Sequence, residues 1–314
     1  MPRRRAADQT ERRAADQTER RAADQTERRA ADQTEQRARR PPLNKDTRVC
    51  ISLSGRPSNI GTRFHNHLYD VYGLDFLYKA FTTTDIVAAI GGVRALGIRG
   101  CSVSMPFKED VLALVDEIEP SAQAIRSANT IVNDVSVPGG RLTASNTDYL
   151  AVGQLIDDNG LDPHDAVLIR GSGGMAKAVG AAFVDAGFRT GFVVARNAAT
   201  GAALADRLGY EFRPEVGSVE ASVLVNVTPV GMAGGLDADE IAFPESAIAA
   251  ADTVFDVVAM PSETPLIRAA RAADRRVITG AEVVALQAAE QFARYTGVRP
   301  DPGHVAEASA VSRA

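Results

Sequence analysis

The stretch VLIRGSGGMAKAVGAAF, residues 167–183, decides the fold expected for the second half of the chain. Its apolar start predicts a buried strand, two glycines follow at once, and a helix-like segment begins directly after them. In this order the first glycine permits a tight turn, the second lets the backbone approach a pyrophosphate, and Ala176 lets the helix pack on the sheet. The pattern predicts a dinucleotide site rather than a purely structural Gly-rich turn, with phosphates bound by Gly171, Ser172, Gly173, Gly174 and Met175.

The next predicted strand, residues 190–196, ends in Val193-Val194-Ala195-Arg196-Asn197 and carries no carboxylate. NAD sites usually have Asp or Glu at this point to bind the ribose hydroxyls, whereas an arginine accommodates a 2′-phosphate. Arg196 therefore favours NADP over NAD as the cofactor. The alternative is a solvated arginine at a strand end.

Strand-like and helix-like segments alternate on both sides of this unit. Strands are predicted at 47–54, 75–81 and 98–104 with helices at 64–72 and 85–96, and further strands at 221–228 and 253–260. Such alternation predicts parallel sheets with helical crossovers. The pattern restarts with a helix-like link at 149–158, so the sequence predicts two α/β domains, an N-terminal domain from residue 44 to 148 and a Rossmann-type domain from 149 to 279.

Residues 6–37 are four copies of an eight-residue repeat, AADQTERR, the last reading AADQTEQR. No Leu, Ile, Val or aromatic residue occurs before Leu43, so residues 1–43 contain nothing with which to build a core. We expect this low-complexity segment to be disordered or a solvated, fraying helix. An interaction tail is the functional alternative.

Composition narrows the classes of function. A net charge of −5 gives no reason to expect nucleic acid as a partner. No apolar run approaches the length that spans a bilayer, and the basic N-terminus lacks the apolar core of a signal peptide, so we expect a cytoplasmic protein with no membrane partner. The four histidines show no metal-ligand spacing, so no metal site is predicted.

A lysine follows the strand at 98–104 in RGCSVSMPFKED, residues 99–110. Lys108 is a candidate proton donor and acceptor, because burial or neighbouring charges bring a lysine pKa towards the working range. Such a lysine needs an orienting carboxylate. Asp148, in SNTDYL, lies at the junction of the two predicted domains and therefore at the mouth of a cleft between them. The alternative for Lys108 is a solvated surface charge.

Seven segments together resemble the ordered motifs of the shikimate dehydrogenase family, over roughly residues 47–300. They are SMPFKE, SANTIVND, SNTDY, GSGGMAKA, VNVTPVGM, FDVVAMPSETPL and GAEVVALQAAEQF. The similarity is greatest to the shikimate-dehydrogenase-like paralogues. It implies that Lys108 and Asp148 are the catalytic pair, and that residues 280–314 return to pack with 44–148 as the substrate domain.

The resemblance also implies roles for further residues. Asn129 and Gln287 are similar to the family's ligands of substrate hydroxyls, and Ser104 stands at the family's usual Thr position. The residues expected on the cofactor side are Asn226, Thr228, Val257 and Gly280.

Three departures from the family pattern concern specificity. Asn59 and Gly61 stand where the family has two serines that bind the substrate carboxylate. Arg56, Ser58, Thr62 or Arg63 could replace those serines, and an arginine would clamp the carboxylate through two hydrogen bonds. Asn59 and Arg56 are the substrate-binding candidates of this loop, and a solvent-facing loop arginine is the alternative. Ala259 replaces a substrate-facing Tyr, and Arg196 alone remains of the family's Asn-Arg-Thr phosphate clamp.

The sequence thus predicts an NADP-dependent dehydrogenase that interconverts a ring hydroxyl and a ketone of a small hydroxy acid, with shikimate and 3-dehydroshikimate as the default pair. A dehydrogenase for quinate or an amino-substituted analogue is the first alternative. A dinucleotide-binding regulatory protein with weak catalysis is the second. We expect a monomer or homodimer.

Overall fold

A computed structural model describes residues 40–313. The repeat at 6–37 and nearly all of the segment predicted to be disordered, residues 1–43, lie outside the described residues. Within the described part the chain forms two six-stranded sheets, each with its own helices. No helix among residues 40–313 is both long and apolar enough to cross a membrane.

The first sheet has the strand order β2-β1-β3-β5-β6-β4. Its strands are β1 (Arg48–Ser54), β2 (Phe76–Thr82), β3 (Gly100–Val103), β4 (Glu117–Ile118), β5 (Thr130–Asp134) and β6 (Arg141–Ser145). Its helices are α1 (Ile60–Val71), α2 (Ile86–Ala95) and α3 (Pro120–Ile125), with a 3₁₀ helix at Asp110–Leu114.

This sheet is mixed, whereas the sequence predicted a parallel one. Strands β1, β2 and β3 are parallel and joined by helical crossovers, as expected. Strand β5 pairs antiparallel with β3 and forms an antiparallel hairpin with β6. The connection from β5 to β6, residues 135–140, is too short for a parallel crossover, which needs a dozen or more residues and usually a helix.

The second sheet is entirely parallel, with the order β12-β11-β10-β7-β8-β9. Its strands are β7 (Val167–Arg170), β8 (Gly191–Val194), β9 (Glu211–Arg213), β10 (Val223–Asn226), β11 (Thr253–Asp256) and β12 (Arg276–Thr279). Its helices are α4 (Thr147–Asp158), α5 (Gly174–Asp185), α6 (Ala198–Leu208), α7 (Glu245–Ala250) and α8 (Pro265–Ala272). The strand order reverses between β7 and β10, and this switch point is where open α/β sheets bind ligands.

Two strands of this sheet end earlier than predicted. Strand β10 stops at Asn226 and β11 at Asp256. The Asn226 side chain accepts a hydrogen bond from the Thr228 amide, and the Asp256 carboxylate accepts one from the Val258 amide. A side chain that bonds the backbone two residues on forms a local turn, which ends the strand.

The last two helices connect the sheets. At the start of α9 (Gly280–Thr296), Val283 packs in the core of the second sheet. Further along the same helix, Phe292 and Tyr295 pack with α1 on the first sheet, as does Val305 of α10 (Pro302–Arg313). The second half of α9 and all of α10 therefore pack against the N-terminal sheet.

Candidate active site between the two sheets

Lys108 and Asp148 are in direct contact. The Lys108 Nζ donates a hydrogen bond to Asp148 Oδ2 at 2.6 Å, and the two side chains are 28% and 10% exposed. The Lys108 carbonyl accepts from the Ala128 amide at 2.8 Å, which fixes the loop after β3 against the loop before β5. The sequence predicted that these two residues lie at a cleft between the domains, and the structure joins them in an ion pair whose lysine is partly open to solvent.

Asp148 is held by the first turn of α4. Asn146 caps this helix, because its Oδ1 accepts from the Tyr149 amide at 3.0 Å. The Asn146 amide group in turn donates to the Ser127 carbonyl, so the cap is itself fixed. A carboxylate in the first helical turn is favoured by the helix dipole. The helix cap and the hydrogen bond from Lys108 therefore fix the position of the Asp148 carboxylate.

Asn129 lies beside this pair with a defined orientation. Its Oδ1 accepts three hydrogen bonds, from the Thr130 hydroxyl and from both the amide and the hydroxyl of Thr147. The Asn129 Nδ2 is left facing Gln287 Oε1 of α9, at 3.4 Å. Asn129 therefore presents a donor rather than an acceptor towards the half-buried Gln287.

Gln291 supports this arrangement and was missed at the sequence level. It lies one turn after Gln287 on the same face of α9, and its Nε2 donates to the Thr130 hydroxyl at 3.1 Å. The signal was present in the sequence, because two glutamines four residues apart share a helix face.

The loop after β1 is hydrogen bonded to the segment that leads from β3 to Lys108. The Gly55 amide donates to the Met105 carbonyl at 3.1 Å, and the Ser104 amide donates to the Leu53 carbonyl at 2.9 Å. Arg56, Asn59 and Ser104 are exposed. Among residues 40–313, the Arg56 guanidinium has no hydrogen bond or ion pair, so it is available to a ligand.

The glycine loop after β7 has the form that a dinucleotide requires. Gly171 has φ +129°, and a Cβ there would lie 2.7 Å from Val227 Cγ2. A Cβ on Gly173 or Gly174 would meet nothing within 4 Å, so open space lies in front of the first turn of α5. The Ser172 hydroxyl hydrogen bonds that of Thr200 at 2.8 Å, which ties the loop to α6. Free amides of a helix start facing open space bind phosphate.

A cavity of about 860 Å³ continues from this loop across the carboxyl ends of β7, β8 and β10. It is lined by Arg196 and Thr228, as well as by the glycine loop. The volume lies in the range of sites that enclose a nucleotide-sized ligand. The residues present therefore fit NADP or NAD at this edge of the sheet.

Asn226 lies behind the cavity wall rather than on it. Its side chain is fully buried, accepts hydrogen bonds from the amide and hydroxyl of Thr228, and donates to Asp256 Oδ1 at 3.0 Å. Asn226 therefore orients the turn that carries Thr228 and does not itself face a cofactor.

Asp256 is the centre of this network and was also missed at the sequence level. Its carboxylate accepts from Asn226, from the Val258 amide and, at 2.6 Å, from the hydroxyl of Thr264, which caps α8. Burial raises the pKa of Asp256 to about 6, although these three donors oppose the shift. One buried carboxyl thus fixes two loops at the edge of the cofactor cavity.

Val257 and Gly280 meet where the loop after β11 contacts the start of α9. A Cβ on Gly280 would lie 2.4 Å from the Val257 carbonyl oxygen, so only glycine allows this approach. Thr279 and Glu282 cap the helix reciprocally. The contact brings the α9 N-terminus, and with it Gln287, to the edge of the second sheet.

An ion pair joins α5 of the second sheet to the residue that follows Lys108. The Lys177 Nζ, in the first turns of α5, donates to Glu109 Oε1 at 2.8 Å. The hydrogen bond from Lys177 lowers the pKa of Glu109 below its usual value. Helix α5, which follows the glycine loop, therefore lies against the segment that carries Lys108.

The chain is similar in sequence to curated relatives over most of their length. Residues 59–131 match the model of the shikimate dehydrogenase substrate binding domain. The chain is 55% identical over 271 residues to the shikimate dehydrogenase-like protein of Haemophilus influenzae, covering 86% of this chain and 98% of the relative. It is 32% identical to the NADP(+) shikimate dehydrogenase of Rubrobacter xylanophilus, covering 81% and 92%.

Solved structures agree with these relatives. A shikimate 5-dehydrogenase-like protein superposes with a TM-score of 0.84 at 55% identity, covering 87% of this chain and 100% of its own. Shikimate 5-dehydrogenase of Thermus thermophilus in complex with NADP(H) and shikimate gives 0.75 at 29% identity, covering 84% and 99%. Quinate dehydrogenase of Corynebacterium glutamicum in complex with NAD gives 0.75 at 26% identity, covering 84% and 98%. The chain therefore belongs to the shikimate dehydrogenase family, on the branch of the shikimate dehydrogenase-like proteins.

Proposed function

We propose that this protein is an NADP-dependent dehydrogenase that interconverts a ring hydroxyl and a ring ketone of a small hydroxy acid, with shikimate and 3-dehydroshikimate as the default pair. The observation that carries this proposal is the Lys108–Asp148 pair at 2.6 Å, beside the Asn129 donor and Gln287. A bound nicotinamide would accept or return the hydride.

Each side chain of the cleft has a distinct task in this reaction. In the direction of reduction, protonated Lys108 gives a proton from Nζ to the oxygen that becomes the hydroxyl, and in oxidation it takes that proton back. Asp148 orients the Lys108 amino group and balances its charge. Asn129 donates a hydrogen bond to one of the remaining ring hydroxyls. Gln287, whose side-chain amide can both donate and accept, binds another. Together they place the reacting carbon towards the edge of the second sheet.

The acid group of the substrate is assigned to the loop after β1. The loop that carries Arg56 and Asn59 is hydrogen bonded through Gly55 to the segment that carries Lys108, and the exposed Arg56 guanidinium is not engaged by any residue from 40 to 313. A guanidinium binds a carboxylate through two parallel hydrogen bonds, which replaces two serine hydroxyls. Ser104 completes this side of the pocket.

The changed loop also favours a second substrate. Ala259 and the Arg56 loop give a wider pocket with a charged clamp, which suits a related polyol acid such as quinate or an amino-substituted analogue. The similarity to a quinate dehydrogenase supports this candidate.

A substrate panel tests the proposal. NADPH formation is measured with shikimate, quinate and other ring hydroxy acids, using NADP and then NAD, for the wild type and for Arg56→Ala. We expect NADP-dependent turnover of at least one acid and a raised KM for that acid in Arg56→Ala. NADPH binding without turnover of any substrate would instead support a regulatory dinucleotide-binding protein.

We also propose the bounds of the domains: residues 44–148 with 280–314 form the substrate domain, and residues 149–279 form the NADP-binding domain. The protein is proposed to be a cytoplasmic monomer or homodimer. The packing of α10 on α1 supports the return of the C-terminus to the substrate domain. Sedimentation of the purified chain measures the oligomeric state.

A further inference from the structure

The last residue of β7 is an arginine, Arg170, directly before the glycine loop. The three residues before it are fully buried and apolar. Ile169 packs in the core beneath α5, whereas Leu168 packs in the core on the opposite face. By the alternation of a strand, Arg170 shares the face of Leu168, away from α5. Arginine side chains are mostly exposed unless they are paired, so a half-buried arginine at the end of such a strand indicates a binding partner or a structural role.

Arg170 lies at the switch point of the sheet. It is paired in register with Val194 of β8 on one side and with Asn226 of β10 on the other. Its backbone carbonyl accepts from the Val227 amide at 2.9 Å, so its main chain is fixed. From this position Arg170 lines the same cavity of about 860 Å³ that Arg196 lines.

The two arginines are close enough to influence each other. Burial lowers the pKa of Arg170, and the positive charge of Arg196 lowers it further. Among residues 40–313, neither guanidinium donates a hydrogen bond or forms an ion pair within 4 Å. Two like charges held at one cavity without such partners cost free energy, unless an anion bound between them offsets the repulsion.

Three carboxylates also border the cavity, and one of them, Glu215, is exposed. Asp237 is partly buried and attracts Arg170 electrostatically, although it lies beyond ion-pair distance. Glu240 is exposed at the rim. The competing role for Arg170 is therefore to hold the loop that carries Asp237, and the test must separate this role from anion binding.

We infer that Arg170 and Arg196 together form the binding site for the 2′-phosphate of NADP, so that preference for NADP over NAD depends on Arg170 as well as on Arg196. This inference rests on the proposed function. The glycine loop that starts at Gly171 takes the pyrophosphate, so the adenosine ribose lies at the ends of β7 and β8, where both guanidinium groups reach the cavity. A phosphate dianion then receives two charge-assisted partners instead of one.

The inference also accounts for the reduced phosphate clamp after β8. In this chain the segment Ala195-Arg196-Asn197 retains only the arginine of the family pattern. The side chain of Asn197 is occupied, because it caps α6 by accepting from the Thr200 amide. Arg170 therefore supplies from a neighbouring strand the second anion ligand that the segment after β8 lacks.

Binding of NADPH, NADH, adenosine 2′,5′-bisphosphate and AMP to the full chain tests the inference by fluorescence and calorimetry. The variants are Arg170→Leu, Arg170→Lys and Asp237→Asn. We expect Arg170→Leu to weaken NADPH and the bisphosphate about 10- to 100-fold and to leave NADH and AMP within about twofold, because only the former carry the 2′-phosphate. Arg170→Lys should restore part of the loss, and Asp237→Asn should leave NADPH unchanged or bind it more tightly.

Three outcomes would overturn the inference. Equal losses for NADPH and NADH in Arg170→Leu would show that Arg170 supports the fold of the loop. A loss in Asp237→Asn equal to that in Arg170→Leu would show that their mutual attraction is what matters. Unchanged NADPH binding in Arg170→Leu would show that Arg196 acts alone. If the wild type binds none of the four compounds, the proposed function fails as well.

Discussion

Replacement of Gly173 by alanine should separate cofactor binding from folding. Gly173 has φ −80° and ψ −169°, which any residue adopts, and a Cβ there would meet nothing within 4 Å. The fold therefore tolerates the methyl group, and the smaller entropy of the unfolded chain should raise the free energy of unfolding by about 0.4–1 kcal/mol.

The same methyl group would occupy the space proposed for the pyrophosphate. Loss of one charge-assisted hydrogen bond costs about 1.5–3 kcal/mol, which corresponds to roughly a 10- to 150-fold rise in the Kd of NADPH. Fluorescence titration and urea unfolding of the wild type and Gly173→Ala measure the two quantities.

Gly171→Ala is the matched control. At φ +129° and 2.7 Å from the Val227 side chain, its added methyl group should destabilise the fold itself. Wild-type NADPH affinity in a folded Gly173→Ala would refute the placement of the pyrophosphate at this helix start.

Three further predictions concern the catalytic pair and two buried ionisable groups. Asp148→Asn should lower kcat by about 10²-fold or more with NADPH affinity unchanged, because Lys108 loses its orienting charge; equal kcat would contradict this role. His65 is fully buried against Tyr78, and burial lowers its pKa to about 3, so the unfolded chain takes up a proton below about pH 6.5 while the folded chain does not. Stability from this group is therefore lost as the pH falls from about 6.5 towards 3, by on the order of 4 kcal/mol, and urea unfolding of His65→Phe should show that this loss has disappeared relative to the wild type. For Asp256 the dependence of stability on pH runs in the opposite direction. Its raised pKa means that the folded chain keeps a proton between about pH 4 and 6, where the unfolded chain has lost it. The stability that Asp256 adds at low pH is therefore lost as the pH rises through about 6, by on the order of 3 kcal/mol. Asp256→Asn should remove that gain on acidification, and an unchanged pH slope in the same unfolding assay would argue against the raised pKa.

The parts of the fold that follow from local patterns were predictable. An apolar strand, two glycines and a helix in succession define the β7–α5 unit without knowledge of distant residues. The hairpin of β5 and β6 was not predicted, because its strands are short and their pairing with β3 is set by tertiary contacts. The ends of β10 and β11 were placed too late, since side-chain bonds from Asn226 and Asp256 redirect the backbone there.

In the site, too, local patterns predicted some features and tertiary contacts decided the others. Lys108 and Asp148 were identified from a strand end and a domain junction, and the structure brings them into contact. Sequence alone could not show that Asn129 turns its amide nitrogen towards Gln287, because hydrogen bonds from Thr130 and from the distant Thr147 decide its orientation. Nor could it show that Asn226 lies behind the cavity wall or that Arg170 lines the cavity. A side chain's direction depends on the three-dimensional network around it.

In the proposed reaction, Lys108 transfers the proton of a ring hydroxyl while the nicotinamide takes the hydride. The most direct test is a single-turnover measurement of NADPH formation, with enzyme in excess over the acid found in the substrate panel, for the wild type and Lys108→Met. The account predicts a fall of about 10²- to 10⁴-fold in the rate of that step, with unchanged Kd for NADPH. A Lys108→Met variant that forms NADPH at the wild-type rate would contradict it.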